Sequence, residues 1–457
     1  MCVLISIFTA CGKSSEPSSS DQDKETEQST DKEQGEELVE EEEEIKMDLG
    51  GRVIKFSAWW DLTPVEGRSE GEDQLIARIA EMEEKYNFKF EYVNVPYDQY
   101  VETYTASSLA GDPFADLTYV ASVWWYPTLV VPGFLTPLSD LGVFDFNEDK
   151  WDQTTISMAT YKGKVYGVET GRFYPKNGVW WNKTIFEREG LPNLYELQKT
   201  NQWTWDKMLE IAKKATKDLD GDGVIDQWGL EGIDAAYSFV YSNGGEFVRM
   251  GEDGRPIFAL GEPKALEALQ FYQDLINVHK VFEFPPDGAA WDYPAQQFQD
   301  GKAAMFIYDY WKSGDFQSNM QDDYGFALFP IGPQGEGYVS IATDSNMVCI
   351  PAATKNPQDV AVIYNERTDP FPEDLADPDR WKEGYLNNLR DVESLETIQR
   401  IQDENLTRFT LHRNFRELEV MSWSFMWQIS SGNQTPAVAI NEVAQQAQAI
   451  LDDAVGE

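Results

Sequence analysis

Between Asp218 and Asp226 the chain reads Asp-Leu-Asp-Gly-Asp-Gly-Val-Ile-Asp, with carboxylates at loop positions one, three, five and nine and a glycine at position six. Alternate oxygens at those offsets converge on one cation, and the glycine permits the sharp turn. Asp218, Asp220, Asp222 and Asp226 are therefore candidate calcium ligands. Position twelve is Gly229 and not a bidentate glutamate, and Gln227 to Leu230 does not read as an exit helix, so the expected role is to brace a loop. The alternative is an Asp-Gly turn without a cation, whose carboxylates repel one another unless fully solvated.

A second chemistry is carried by aromatic and polar residues at strand ends. Sugars expose apolar C–H faces ringed by hydroxyls, so a site for them combines flat aromatic platforms with carboxylates, amides and Arg. Trp59-Trp60-Asp61 follows the first strand-like run, and Trp124-Trp125-Tyr126 follows another at Leu117 to Val120. Glu169 and Arg172 offer a carboxylate and a guanidinium; Trp311 ends the run Ala303 to Tyr308; Tyr237 falls in the loop region after Gly232-Ile233-Asp234; Trp423 and Trp427 are four apart on one helix face. Each has a bland reading beside the binding one. Neighbouring strand residues face opposite ways, so one Trp of each pair packs inward; Glu169 and Arg172 make a surface salt bridge; Trp423 and Trp427 pack in the core.

Other chemistries are poorly provided for. There are only two histidines, His279 and His412, both in polar helix-like contexts and expected at the surface, which leaves no His-based triad or zinc site. Cys349, inside Met347-Val348-Cys349-Ile350, reads as a buried strand residue. A formal charge of −43 repels nucleic acid and anionic lipid. Among eighty acidic residues a glycosidase carboxylate pair stays open as the chief rival, and a surface carbohydrate-adhesion module ranks third. No catalytic residue is singled out.

The elements that position these groups begin at Gly51. Residues Arg52 to Trp60 read as a strand, Glu72 to Tyr86 as an amphipathic helix and Phe88 to Val93 as a second strand, a βαβ opening. Further helices are expected at Trp205 to Lys217, Pro263 to Lys280 and Val438 to Ala454, with strands at Lys164 to Val168, Gly178 to Trp181, Ala303 to Tyr308 and Met347 to Ile350. Such alternation indicates an α/β fold with parallel sheets, whose ligands lie at the carboxyl ends of strands. Ahead of it, residues 12–50 are Ser, Asp, Glu, Gln and Lys with almost no apolar content, a composition that predicts a disordered, self-repelling tether.

Two resemblances follow. Phe8-Thr9-Ala10-Cys11, after the apolar run Val3 to Phe8, resembles a bacterial lipoprotein signal box and implies lipidation of Cys11, with residues 1–11 as the signal remnant. Tyr161-Lys162-Gly163-Lys164-Val165-Tyr166-Gly167-Val168, Trp180-Trp181-Asn182-Lys183-Thr184-Ile185-Phe186, Trp203-Thr204-Trp205-Asp206 and Gly301-Lys302-Ala303-Ala304-Met305 through Trp311 resemble, in order and spacing, the family 1 extracellular solute-binding proteins. That resemblance implies a two-lobed periplasmic-binding type II fold, with 51–166 plus 328–352 in one lobe and 167–327 plus 353–457 in the other. Crossings are then expected near Gly167, Phe329 and Ala353. It also implies an extracytoplasmic monomer that captures a carbohydrate, an oligosaccharide on the Trp count, and passes it to an ABC-type permease. Trp311 matches the family's sugar-stacking aromatic, while Trp181 belongs to strand-to-helix packing. In the Asp loop, relatives use the carbonyl at position seven, here Val224, as a further calcium ligand.

Overall fold

The computed structural model describes residues 47–171, 176–377 and 379–456; the expectations for Cys11, for the tether up to residue 46 and for Arg172 lie outside them. The first strand, β1 (Arg52–Ala58), alternates and then buries its last three residues. It is followed by α1 (Glu70–Tyr86), β2 (Phe88–Asn94), α2 (Tyr97–Ala110) and β3 (Leu117–Ala121). Helix α1 starts where the Ser69 hydroxyl accepts the Glu72 N–H, and it stops at Asn87 in the left-handed conformation. A second group contains β4 (Asn177–Asn182), α3 (Trp205–Ala215), β5 (Trp228–Gly232), α4 (Ala235–Ser242), the hairpin β6 (Val248–Met250) and β7 (Pro256–Phe258), α5 (Pro263–Asn277), α6 (Tyr293–Gln299), β8 (Ala303–Asp309) and β9 (Tyr324–Ala327). Then come β10 (Ser340–Ala342), β11 (Asn346–Cys349), α7 (Pro357–Arg367), β12 (Thr407–Phe409), α8 (Arg416–Ser430) and α9 (Pro436–Val455).

Two four-stranded sheets result, in the orders β11-β3-β1-β2 and β9-β4-β8-β5. Their strands are not all parallel, as the sequence pattern had suggested. β1 pairs parallel with β2 and β3, and β8 with β5, whereas β11 runs antiparallel to β3 and β4 runs antiparallel to both β8 and β9. The exceptions have a topological cause: β4 and β11 enter their sheets from the other lobe, so no right-handed βαβ crossover fixes their direction.

The quoted motifs turn out to be packing devices. Trp180 is wholly buried among Tyr310, Phe316, Tyr324 and Phe326 with ring centroids 4.7–5.8 Å away. Asn182 caps the next helix by accepting the Ile185 N–H at 2.9 Å, and its amide donates to Asp322 at 2.8 Å. Thr204 caps α3, while the buried indoles of Trp203 and Trp205 donate to the Leu328 carbonyl at 2.7 Å and to the Ser242 hydroxyl at 3.0 Å. Cys349 is a buried strand residue and Trp181 packs on Phe186 and Tyr195.

The chain changes lobes at places other than those expected. Val168 still bridges Val348 of the smaller lobe, and Asn177 opens β4 of the larger one. Phe329, Tyr338 and Ile341 pack in the larger lobe's core and β10 pairs with β12, so the next crossing is at residues 343–345, not at Phe329. Helix α7 then packs on the smaller lobe, Tyr364 meeting Phe56 edge-on at 6.0 Å and Trp151 at 6.4 Å. Arg78 lies 3.9 Å over the Phe371 ring, whereas Tyr385 packs 5.6 Å from Tyr310. The last crossing therefore falls between Phe371 and Tyr385 and not at Ala353. Apolar runs such as Leu328-Phe329 fit either core, which is why sequence alone misplaced them.

Gly229 shows why the Asp loop departs from a full calcium-binding hand. A Cβ there would fall on the Ala212 carbonyl, because β5 lies directly against α3, and a glutamate cannot be placed at that position. Gly229→Ala should lower stability by about 1–3 kcal/mol, read as a shifted denaturation midpoint at unchanged slope.

Candidate functional site

The carboxyl end of β1 and the segment after β3 build an aromatic wall on the smaller lobe. Half-buried Trp59 stands edge-on to Trp60 at 4.7 Å, Trp124 at 4.9 Å, Tyr100 at 5.5 Å and Tyr97 at 5.6 Å. It holds Trp60 outward, 38% exposed, and Trp60 packs 4.8 Å from Tyr119 of β3. Edge-on packing of this kind fixes ring orientation as well as burying area. The pair divides as the strand pleat requires, Trp59 supporting and Trp60 presenting.

Four acids come with this wall, of which the sequence singled out only Glu169. Asp309 ends β8 and accepts the Trp311 N–H at 3.3 Å. Asp344 sits in the crossing between β10 and β11 and accepts the Ser122 hydroxyl at 3.4 Å. Asp234 precedes α4 in the left-handed conformation, φ 54°. Glu169, still on the smaller lobe where its carbonyl accepts the Asp152 N–H at 2.9 Å, accepts the Thr170 N–H at 3.0 Å through its carboxylate. Burial raises the pKa of all four, that of Glu169 to about 7, although water still reaches their side chains. Lys176 partly offsets the effect at Asp309 and Asp344, and Arg413 does so at Asp234. Arg413 keeps its charge against burial because Asp234, Glu419 and Asp344 surround it, with Glu419 at 3.2 Å. The Tyr97 phenol is pushed up to about 12, by burial first and then by Asp344, which places a smaller-lobe side chain in the field of larger-lobe groups.

The larger lobe adds its own platforms. Trp311, 45% exposed, stands 5.9 Å from Tyr308, whose phenol is raised by burial and by Asp234 and Asp309. Trp423 and Trp427 are both half exposed on α8 and not in the core, and Arg416 lies 5.2 Å over the Trp423 ring.

Several expected residues lie elsewhere. Trp125 turns away from Trp124 and is 6.2 Å from Tyr126. It lines a cavity of about 590 Å³, together with Tyr126, Tyr161, Arg255 and Phe409, whereas none of the four acids does. That cavity is mainly apolar, with Asp253, Asn414 and Thr410 among its polar groups. Tyr237 is not in a loop but within α4, buried against Phe247 and His412. His412, expected at the surface, is fully buried and stacked 4.0 Å from Phe247, its pKa held well below the usual range by burial. Asp61 is exposed and accepts the Thr63 N–H at 2.9 Å, which lowers its pKa and ties it to a turn. The missed acids carried a partial signal: Asp309 ends a predicted strand two residues before Trp311. Arg413 and Glu419 carried none.

In the Asp loop, carboxylate oxygens of Asp218, Asp220 and Asp222 approach within 4.8 Å of one another on an exposed surface, a spacing that one cation bridges. Asp218 accepts the Gly221 and Gly223 N–H groups, and Asp226 accepts the Leu219 N–H at 2.7 Å, which draws it into the turn.

A family description, bacterial extracellular solute-binding protein, matches residues 68–362, well over half the chain. The arabinooligosaccharide-binding protein of Halalkalibacterium halodurans is 26% identical over 190 residues; the match spans 41% of this chain and 39% of that protein, well short of its full length. Among solved structures, the ABC substrate-binding protein Lmo0181 from Listeria monocytogenes in complex with cycloalternan shares the fold at a TM-score of 0.62 and 16% identity, over 87% of this chain and 98% of its own. UgpB from Mycobacterium tuberculosis in complex with glycerophosphocholine does so at 0.64 and 17%, over 89% and 100%. The maltose/maltodextrin-binding domain MalE from Bdellovibrio bacteriovorus, bound to maltotriose, gives 0.59 and 18%, over 88% and 99%. The family that the chain matches is one of solute-binding proteins and not of glycosidases. No helix among the described residues is long and apolar enough to cross a membrane. Matched through both sheets and sharing the two-lobed frame of these receptors, the chain belongs to the bacterial extracellular solute-binding proteins.

Proposed function

We propose that the protein captures a carbohydrate, specifically an oligosaccharide, between its lobes and delivers it to an ABC-type permease, working as a monomer. The observation that carries this reading is the union of outward-facing indoles, Trp60, Trp311 and Trp423, with the carboxyls of Glu169, Asp309, Asp344 and Asp234. Indoles take the C–H faces of a sugar, while carboxylates accept its hydroxyls in charge-assisted hydrogen bonds. The arabinooligosaccharide in the name of one relative and the cycloalternan and maltotriose in two of the similar structures support the same reading, while UgpB holds glycerophosphocholine. Because both lobes contribute, a ligand gains more when they approach, and binding favours the closed arrangement that a permease recognises. Lipidation at Cys11 and the acidic tether would hold the receptor at the outer membrane face with room to move.

The Asp218, Asp220, Asp222 cluster fits calcium, with Val224 offering its carbonyl and Asp226 its carboxylate at the ninth position. The cation would neutralise the loop and brace it.

Trp311→Ala and Trp60→Ala should each weaken saccharide affinity by roughly 1–3 kcal/mol in calorimetric titration, with little change in melting temperature because both rings are exposed. Affinity should also depend on pH. Hydroxyl donation favours ionised Glu169, whose free pKa is raised, so binding should tighten as pH rises through about 7 and then level off. The same shift removes apo stability over the rise from about 4.5 to about 7. Glu169→Gln should weaken both dependences. Calcium should raise the melting temperature of the wild type and not that of Asp218→Asn/Asp220→Asn, at equal saccharide affinity; a shift that persists in the variant would remove this loop as the calcium site.

A further inference from the structure

Trp291 belongs to none of the motifs, yet it is 63% exposed, an unusual place for an indole. It lies in the turn before α6, and its ring centroid is 6.2 Å from that of Trp311 with the planes 31° apart. The Lys312 ammonium lies 5.1 Å from the Trp291 ring and 4.6 Å from the Trp311 ring. Lys312 is itself buried and ion-paired with Asp315 at 2.9 Å, so one fixed cation serves both indoles. A cation over an indole face fixes the ring as well as attracting it. With Lys312 against both rings, and Tyr308 edge-on to Trp311, the pair is held in place while much of each ring stays open to solvent. Pre-ordered rings stack on a ligand at little entropic cost.

We propose that Trp291 and Trp311 form a double stacking platform, with Trp311 serving a sugar ring near the acids and Trp291 serving the next ring outward, so that the cleft is built for a chain of linked sugars and not for a monosaccharide. This inference rests on the carbohydrate reading above. The inner position is defined by Tyr308, which adjoins Trp311 and feels Asp234 and Asp309. What the structure sets against the Trp291 ring is Trp311 and the Asp315-paired Lys312, so its contribution is stacking, which tolerates different sugars but demands that a second ring be present.

The test is calorimetric titration of the intact protein, its Trp291→Ala and Trp291→Phe variants and Trp311→Ala, against arabino-, xylo- and malto-oligosaccharide series from mono- to pentasaccharide. Wild-type affinity should rise with chain length within the series that binds. Trp291→Ala should lose about tenfold for the longer members and little for the shortest binder. Trp291→Phe should recover most of that loss, and Trp311→Ala should weaken every length. An equal effect of Trp291→Ala at all lengths, or none at any, with melting temperature unchanged, overturns the platform while leaving the carbohydrate reading intact. If the wild type binds no saccharide, the carbohydrate reading falls and the platform with it.

Discussion

A carboxylate taken out of bulk water must find a cation or a hydrogen-bond donor, or else keep a proton. In this protein Glu169, Asp234, Asp309 and Asp344 are crowded by protein mass and only partly compensated, Glu169 by Arg367, Asp234 by Arg413, Asp309 by Lys176 and Asp344 by both Lys176 and Arg413. The site is thus short of donors. A polyol supplies many donors at once, and the indoles on either side supply the apolar surface that a polyol's ring faces need. On the proposed reading, a preference for polyols and a pH-sensitive affinity both follow from that deficit.

The proposed role requires a frame that holds these groups on two separate bodies. Each lobe has its own sheet and core, and the acids are placed at strand ends or in crossings, where backbone geometry and not helix packing sets their position. Asp309 ends β8 and Asp344 lies between β10 and β11, whereas Glu169 stays on the smaller lobe, its carbonyl accepting the Asp152 N–H. On the proposed reading, a movement at the crossing between β10 and β11 moves Asp344 directly and couples ligand contact to lobe position.

Much of the fold was legible because its signals are local. Caps at Ser69, Thr204 and Asn182, the alternation of β1 and the apolar run of β8 are fixed by residues close in sequence. The crossings were misplaced because Leu328-Phe329 and the helix at Pro357 are apolar in ways that suit either core, and only long-range packing assigns them. The site was half legible for the same reason. Trp60 and Trp311 announce themselves as aromatics at strand ends, whereas Tyr237 presents the same chemistry and is spent on the core beside His412. Arg413, Glu419 and Trp291 acquire meaning only from groups distant in sequence.

The most direct test is a thermal-shift screen of the protein against mono- and oligosaccharides, with amino acids and glycerophosphodiesters as non-sugar solutes. The account predicts a saturable rise in melting temperature with one saccharide class, the sugar being recovered unaltered. A saturable rise with a non-sugar solute and none with any saccharide would contradict it.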